Sequence, residues 1–339
     1  NLMLRYRFGG IKDILKGHLK FWFLMGVPSA FPHSKRMLLR EYIRSFANIP
    51  HFHSSKSHGK SKDFTPQFRM WDYSQNREGG YYVNKFPEEL PKVSVIVRTC
   101  GRPAILRETL ISLRNQTYPE IEIVVAEDGP DISGQMIKEE FSDLNIVYFA
   151  TGEKAGRSRT GNLAMEKATG RYLNFLDDDD LFFADHIEVL VSQLIKGDNR
   201  AAYAFAFETP VEIHSRDPYE YTVKQYREVH KHEFDKVVLC HHNYIPIQSI
   251  MFEKSLFEEY GGLDESLDAL EDWDLWVRYS LHTDFTCVKK TTSIYRVPFN
   301  RKINAERQKA LDEALVLVRN KHKEYIQTVS VYDLAMMYE

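Results

Sequence analysis

With 339 residues, 43% hydrophobic and 27% charged, the chain has the composition of a globular protein with a sizeable core, either one large domain or a smaller one with appendages. Its longest apolar run, Phe21-Trp22-Phe23-Leu24-Met25-Gly26-Val27, falls well short of the ~20 residues of a membrane span. The three cysteines, Cys100, Cys240 and Cys287, are odd in number and far apart, which excludes a disulfide framework and a cysteine-built zinc site and fits a reducing cytoplasm.

A net charge of −3 hides an asymmetry: residues 1–92 carry 16 Lys+Arg against 7 Asp+Glu, the remainder 29 against 41. The basic part seeks phosphate, whether on nucleic acid, anionic lipid or another anionic partner. Residues 1–27 read as a basic helix. Ile11, Ile14, Leu15, Leu19, Trp22 and Phe23 recur near helical spacing, and Lys12, Lys16 and Lys20 line another face. Two readings stay open, a helix lying in a membrane interface and a helix packed on the body or on a neighbouring domain. No cleavable signal pattern follows, and a first residue of Asn fits a piece cut from something longer. A further helix is expected from about Ser34 to Phe46. His51, His53 and His58 lie in a Ser/Lys/Gly-rich stretch that reads as a linker, and residues 61–92 as an irregular approach ending at Pro91.

From Val93 the texture changes. Val93–Val97 is a buried-strand run, followed by the turn Arg98-Thr99-Cys100-Gly101-Arg102-Pro103 and a helix from Ile105 to Leu113. Strands are expected at 121–125, 145–149 and 172–176, and helices at 132–141, 156–168 and 184–195. Strand alternating with helix over short connections implies a parallel sheet covered on both faces. Ligands of such sheets bind at the C-terminal strand ends. Three turns therefore converge on one crevice: 98–103, 127–131 and 177–180. Asp128, placed after an apolar strand, suits a hydrogen bond from a nucleotide base. Neither a G-x-G-x-x-G nor a G-x-x-x-x-G-K-[ST] motif follows the first strand.

The fourth strand delivers Asp177-Asp178-Asp179-Asp180. Four adjacent carboxylates repel one another. Either a hard divalent cation neutralises them, or they form an acidic turn ahead of the next helix. The second half reads as mixed, with strands at 201–207, 211–213, 248–252, 286–289 and 293–296, a short helix at 255–260 and a long one at about 305–325. Between them lies Glu271-Asp272-Trp273-Asp274-Leu275-Trp276-Val277-Arg278. A carboxylate on a partly dry aromatic helix gains pKa and suits a general base, but Glu271, Asp272 and Asp274 equally suit a helix N-terminus.

These segments together resemble the GT-A glycosyltransferases of family 2. Val93–Thr99 with Arg102-Pro103 is similar to the opening VSVIIPTYNRP strand, and Ile123–Gly129 to IVVDDGS. Phe175–Asp180 is similar to FLDxDD, and Glu271–Arg278 to E-D-W-D-L-W-x-R. The resemblance covers about 93–296 and leaves 1–92 outside. It implies an α/β fold, a Rossmann-like, mostly parallel sheet with flanking helices, carrying a basic N-terminal extension (1–92) and a C-terminal helical segment (301–339) around a domain at 93–300.

The resemblance further implies an inverting transfer of sugar from a UDP- or dTDP-sugar to a hydroxyl of a glycan or lipid-linked glycan. The setting would be bacterial surface polysaccharide synthesis at the cytoplasmic face, with Mn²⁺ or Mg²⁺ as cofactor and no nucleic-acid partner. Thr99, Arg102, Asp128, Arg159, Asn162, Asp177, Asp178 and Asp180 would hold the donor and Asp179 the metal. Asp180 has a second use as a cap of the following helix. Asp272 would be the general base with Glu271 beside it. The chain departs from the pattern in four places. Arg98 stands where Pro is usual, Cys100-Gly101 replace Tyr-Asn, Gly161 occupies the usual Arg position of S-x-A-R-N (with Arg159 nearby), and Pro298 replaces a metal-ligating His. Two rival classes remain, a sugar nucleotidyltransferase and a catalytically silent sugar-binding module.

Overall fold

A computed structural model describes residues 80–83, 86–87 and 89–323. The helices expected at 1–27 and 34–46 and the linker between them and the body lie outside these residues. Among the described residues, eight strands form one sheet in the order β3-β2-β1-β4-β9-β6-β10-β5, and two more, β7 and β8, pair with β6 off this path. β1 (Val93–Thr99) is buried along its whole length because it is flanked by β2 (Ile121–Glu127) and β4 (Tyr172–Phe175), both parallel to it. β3 (Ile146–Ala150) extends this parallel half. Its crossovers are α1 (Pro103–Arg114), α2 (Gly134–Glu140) and α3 (Arg157–Lys167). Pro103 opens α1, where its fixed φ fits and its missing N–H costs nothing.

The second half is mixed, as the irregular spacing of its apolar runs predicts. β9 (Ile250–Glu253) runs antiparallel to both β4 and β6 (Ala201–Arg216), and β10 (Phe285–Pro298) runs parallel to β6. The short β5 (Leu181–Phe182) pairs antiparallel with β10. Two pairs of expected strands are each one long strand. Pro210 reads as a break, yet it sits inside β6 opposite Val297, its carbonyl accepting from Lys224 N–H at 2.9 Å. In β10 the apparent gap is a register irregularity between Val288 and Ser293. The short strands β7 (Tyr219–Val223) and β8 (Arg227–His230) both pair antiparallel with β6, β7 along 211–216 and β8 along 206–208. They escape sequence reading because their partly polar residues carry no buried face. The helix α4 runs His186–Lys196, α5 Lys236–His241, α6 Lys254–Tyr260, α7 Glu271–Ser280 and α8 Arg301–Lys321. No helix among the described residues is long and apolar enough to cross a membrane.

Strand alternation divides the core between the two faces of the sheet. Val93, Val95 and Val97 pack with Leu106, Leu110 and Leu190 on one side. Ile96, Phe175 and Phe252 pack with Trp273, Trp276 and Tyr279 of α7 on the other. α7 is thus held by its aromatic stripe, and its acidic first turn is carried to the C-terminal edge of β1 and β4. The entry to β4 is equally constrained. A methyl group on Gly170 would lie 2.6 Å from Ser94 N and 2.9 Å from Lys92 O, backbone atoms of β1 and of the residue before it that cannot yield. Gly170→Ala is expected to cost about 1–3 kcal/mol by overpacking, read as a lower midpoint in urea with an unchanged slope.

Candidate active site

The ends of β1, β2 and β4 converge as the alternating pattern requires. Thr99 donates to Asp178 Oδ2 at 2.7 Å, and Asp178 N–H donates to Arg98 O at 3.2 Å, so the acidic run is stitched to the end of β1. The four aspartates are not equivalent. Asp177 takes a bidentate bond from Arg98, at 2.7 and 2.8 Å. Burial pushes its carboxyl up, but Arg98 outweighs burial and holds it below the usual range. Asp178 is fully buried and receives Arg102 Nε at 3.0 Å and Arg102 Nη2. Burial raises it to about 7, against the pull of Arg102 and with Asp179's charge adding to the rise. Asp179 keeps 39% of its side chain exposed, with Arg102 Nη1 at 3.4 Å. Asp180 is turned away. Its Oδ1 accepts Arg296 N–H from β10 at 2.9 Å and its side chain is buried, so it neither faces the crevice nor caps α4, whose N-cap is Asp185. Burial and the charge of Asp179 put its carboxyl well above the normal range.

Asp128 reaches the crevice edge, but its carboxylate accepts Ala155 N–H at 2.6 Å and Gly156 N–H at 3.1 Å, tying the entry of α3 to the end of β2. Asn162 faces the opposite way, bridging Leu263 through both its amide oxygen (2.8 Å) and nitrogen (2.9 Å). Arg159 points outward, 60% exposed and 3.8 Å from Glu265. The structure therefore brings Thr99, Arg102, Asp128, Asp177, Asp178 and Asp179 together and leaves Arg159 and Asn162 beside the 263–265 loop.

The first turn of α7 completes the site. Leu270 precedes it at φ 58°, a left-handed conformation that costs a branched residue about 1 kcal/mol or more and marks a position the surroundings dictate. Glu271 is buried and takes Arg98 Nη1 at 2.9 Å. Asp272 accepts Asn243 Nδ2 at 3.1 Å and the N–H of Trp273 at 2.8 Å. Burial and the neighbouring Glu271 raise its carboxyl to about 7 despite those donors. Asp274 faces inward from the same turn and binds Arg278, Lys321 and His322.

Three contributors escaped the sequence. Arg98 joins Asp177 to Glu271. Arg157, 3.9 Å from Glu271, is the arginine of α3 nearest the acidic network, where sequence spacing favoured Arg159. Asn243 fixes Asp272 from a loop 29 residues away, with no motif to announce it. Glu127 could have been found: a carboxylate ending an apolar strand is rarely idle. It is fully buried and accepts Gly101 N, Ser133 N and the Tyr148 hydroxyl, shaping the turns after β1 and β2.

Among the described residues no three His, Cys, Asp or Glu side chains are grouped to hold a metal ion alone. The set fits a hard cation that draws part of its shell from phosphate. Asp179 is open on one side, the buried Asp178 beside it is under-neutralised, and one or two carboxylates plus substrate phosphates are the usual protein share for Mg²⁺.

Comparison with known proteins places this geometry. Residues 94–261, about half of the chain, match the model of Glycosyl transferase family 2; the α7 segment lies beyond the match. An uncharacterised glycosyltransferase of Rickettsia typhi is 29% identical over 190 residues, 56% of this chain and 58% of that protein. The GalNAc(5)-diNAcBac-PP-undecaprenol beta-1,3-glucosyltransferase of Campylobacter jejuni is 30% identical over 111 residues, 32% of this chain and 36% of that protein. The chain thus spans little more than half the length of the Rickettsia relative. In structure it is similar to the mannosyltransferase PcManGT from Pyrobaculum calidifontis, in complex with GDP-Man and Mn²⁺. The TM-score is 0.55 at 20% identity, covering 77% of this chain and 72% of that one. With a sheet similar to a GT-A structure and a family match that takes in β2 to β4, β6, β9 and the acidic run, the chain belongs to glycosyltransferase family 2.

Proposed function

We propose that the chain transfers a sugar, with inversion, from a nucleotide-diphosphate sugar to a hydroxyl of a glycan or lipid-linked glycan. The observation that carries this reading is one ionic chain, Asp177–Arg98–Glu271, that joins the donor-side strand β4 to the helix holding Asp272. Asp272 takes the proton of the acceptor hydroxyl as its oxygen attacks the anomeric carbon. The bond from that carbon to the diphosphate breaks on the opposite face, so the anomeric centre inverts. A raised carboxyl suits this role, since a base near the working pH balances availability against strength. Thr99 and Arg102 line the end of β1 on the nucleotide side, and Asp128 serves the base once the donor is seated. The donor class is a UDP- or dTDP-sugar in this reading, with the GDP-Man of the Pyrobaculum structure as the competing choice. Asp179, with Asp178 behind it, would hold Mn²⁺ or Mg²⁺ together with the diphosphate, and the ion would neutralise the leaving group's charge.

We place the catalytic domain at 93–300. We also assign the product to a bacterial surface glycan made at the cytoplasmic side of the membrane, as the lipid-linked glycan in the name of the Campylobacter relative suggests.

A thermal-shift panel of UDP-, dTDP- and GDP-sugars with Mn²⁺ tests the donor. The true donor raises the unfolding temperature with concentration, by RT ln(1+[L]/Kd) in free energy. No shift with any of them contradicts a nucleotide-sugar site. The rate has its own signature. Asp272 must be ionised to act, so transfer is expected to rise tenfold per pH unit up to about 7 and then level. A profile flat from pH 5 to 8 would contradict the assignment of the base.

A further inference from the structure

Arg98 stands at a position where the family pattern has Pro, and its side chain fills a place that another residue vacates. The aliphatic stem leaves β1 and passes directly beneath Gly161 of α3. A methyl group built on Gly161 would lie 3.3 Å from Arg98 Cδ, 3.4 Å from the Phe175 ring and 2.8 Å from Leu263 Cδ1. The guanidinium then emerges over Phe175, 5.4 Å from the ring centre. Its fork divides, Nε and Nη2 going to both oxygens of Asp177 and Nη1 to Glu271 at 2.9 Å and the carbonyl of Arg157 at 3.5 Å. The side chain is only 7% exposed. It therefore links β1, the turn after β4, the start of α3 and the first turn of α7. Position 161 is where the family pattern carries its arginine. Arg159, two residues away, points to solvent and Glu265 instead.

We propose that Arg98 and Gly161 are a matched pair: glycine on α3 clears the path, and the arginine of β1 supplies from below the guanidinium that fixes Asp177 and Glu271 relative to one another. Arg98 is then a positioning residue. It touches neither donor nor acceptor, and it holds the turn that presents Asp272. Arginine is required because a divided, planar fork satisfies two carboxylates at once, and a lysine ammonium satisfies one. A side chain at 161 would meet Leu263 Cδ1 at 2.8 Å and the Arg98 stem at 3.3 Å, so glycine leaves room for both.

The test is a double-mutant cycle in the full chain, with Arg98→Met, Gly161→Arg and the two combined, and with Arg98→Lys as the conservative control. Thermal unfolding and nucleotide release from the donor are read for each. Arg98→Met is expected to unfold earlier and to release nucleotide more slowly, on the order of 100-fold, the scale of a catalytic group misplaced by about an ångström. Gly161→Arg alone is also expected to lose stability, because two guanidinium groups then compete for one space. The combined variant is expected to recover most of both losses, and Arg98→Lys a smaller part. A side chain that only filled volume would not be replaced by a guanidinium arriving from a different helix.

The proposal is overturned if the combined variant is no more stable than Arg98→Met, or if Arg98→Met matches the wild type. Should Arg98→Met not fold, recovery of a folded protein in the combined variant supports the pair, and its absence beside a folded Arg98→Lys overturns it. The activity arm rests on the transferase reading and the stability arm does not. A wild-type chain that releases no nucleotide sinks that reading alone, and the unfolding temperatures still decide the pair.

Discussion

Replacing Asp272 by Asn is expected to slow sugar transfer about 10²- to 10⁴-fold while leaving donor binding within a fewfold of wild type. The substitution keeps size and shape and removes only the capacity to take a proton. Asp272 is the carboxylate of the α7 turn that no cation neutralises directly. Glu271 is engaged by Arg98, and Asp274 by Arg278, Lys321 and His322, whereas Asp272 meets an amide from Asn243 and a backbone N–H. It is accordingly the member of the trio whose burial is left uncompensated and whose carboxyl rises to about 7. Because the raised pKa disfavours the charged form in the folded state, the native protein binds more protons than the unfolded chain between about pH 4 and 7. Asp272 therefore costs stability as pH rises through that window. Asp272→Asn removes this cost. The variant is expected to be inactive yet at least as heat-stable as wild type at pH 8, a combination that separates a catalytic role from a structural one.

The second large effect concerns stability. Asp274 is fully buried and meets Lys321 at 2.8 Å, His322 at 2.9 Å and Arg278 at 3.0 Å. The hydrogen bonds from His322 and Lys321 overcome burial and hold its carboxyl far below the usual range. Asp274→Ala is expected to cost about 3 kcal/mol, the low end for breaking a buried ionic cluster. Lys321 is more than a third exposed, so part of its attraction is screened by water. The contribution of Asp274 is present above the unfolded carboxylate pKa, near 4, and is lost as pH falls below it. Urea midpoints for wild type and variant should therefore converge on acidification below about pH 4. The same cluster joins the end of α8 to α7, the helix that carries Asp272, so the variant should also slow transfer without moving the pH at which the rate levels.

The sequence carried the parallel half of the fold well. β1, β2 and β4 are buried on both faces and so read as continuous apolar runs, and the half-buried edge strand β3 is apolar enough to be read with them. The second half was less legible for physical reasons. Pro210 is a breaker in most strands, but here its missing N–H is harmless and β6 runs on through it. The short strands β7 and β8 are partly polar and at most half-buried, so no apolar run betrays them. At the site, the residues that end strands were visible because such ends collect ligands. The residues that tie those ends together were not. Arg98 looked like a lost proline, Gly161 like a lost arginine, and only their contact in space makes the two departures one feature. Asp180 shows the reverse. Its place in the acidic run suggests the donor, yet its carboxylate is turned into the sheet to receive β10.

On this reading Asp272 removes a proton from an acceptor hydroxyl while a nucleotide diphosphate departs. It is tested most directly by following nucleotide release from a UDP-, dTDP- or GDP-sugar in the presence of Mn²⁺ and a lipid-linked glycan acceptor, with the anomeric configuration of the product read by NMR. Release by the wild-type chain with an inverted product is expected, with a loss of at least about 10²-fold for Asp272→Asn. Retention of configuration, or equal release by the two proteins, would contradict it.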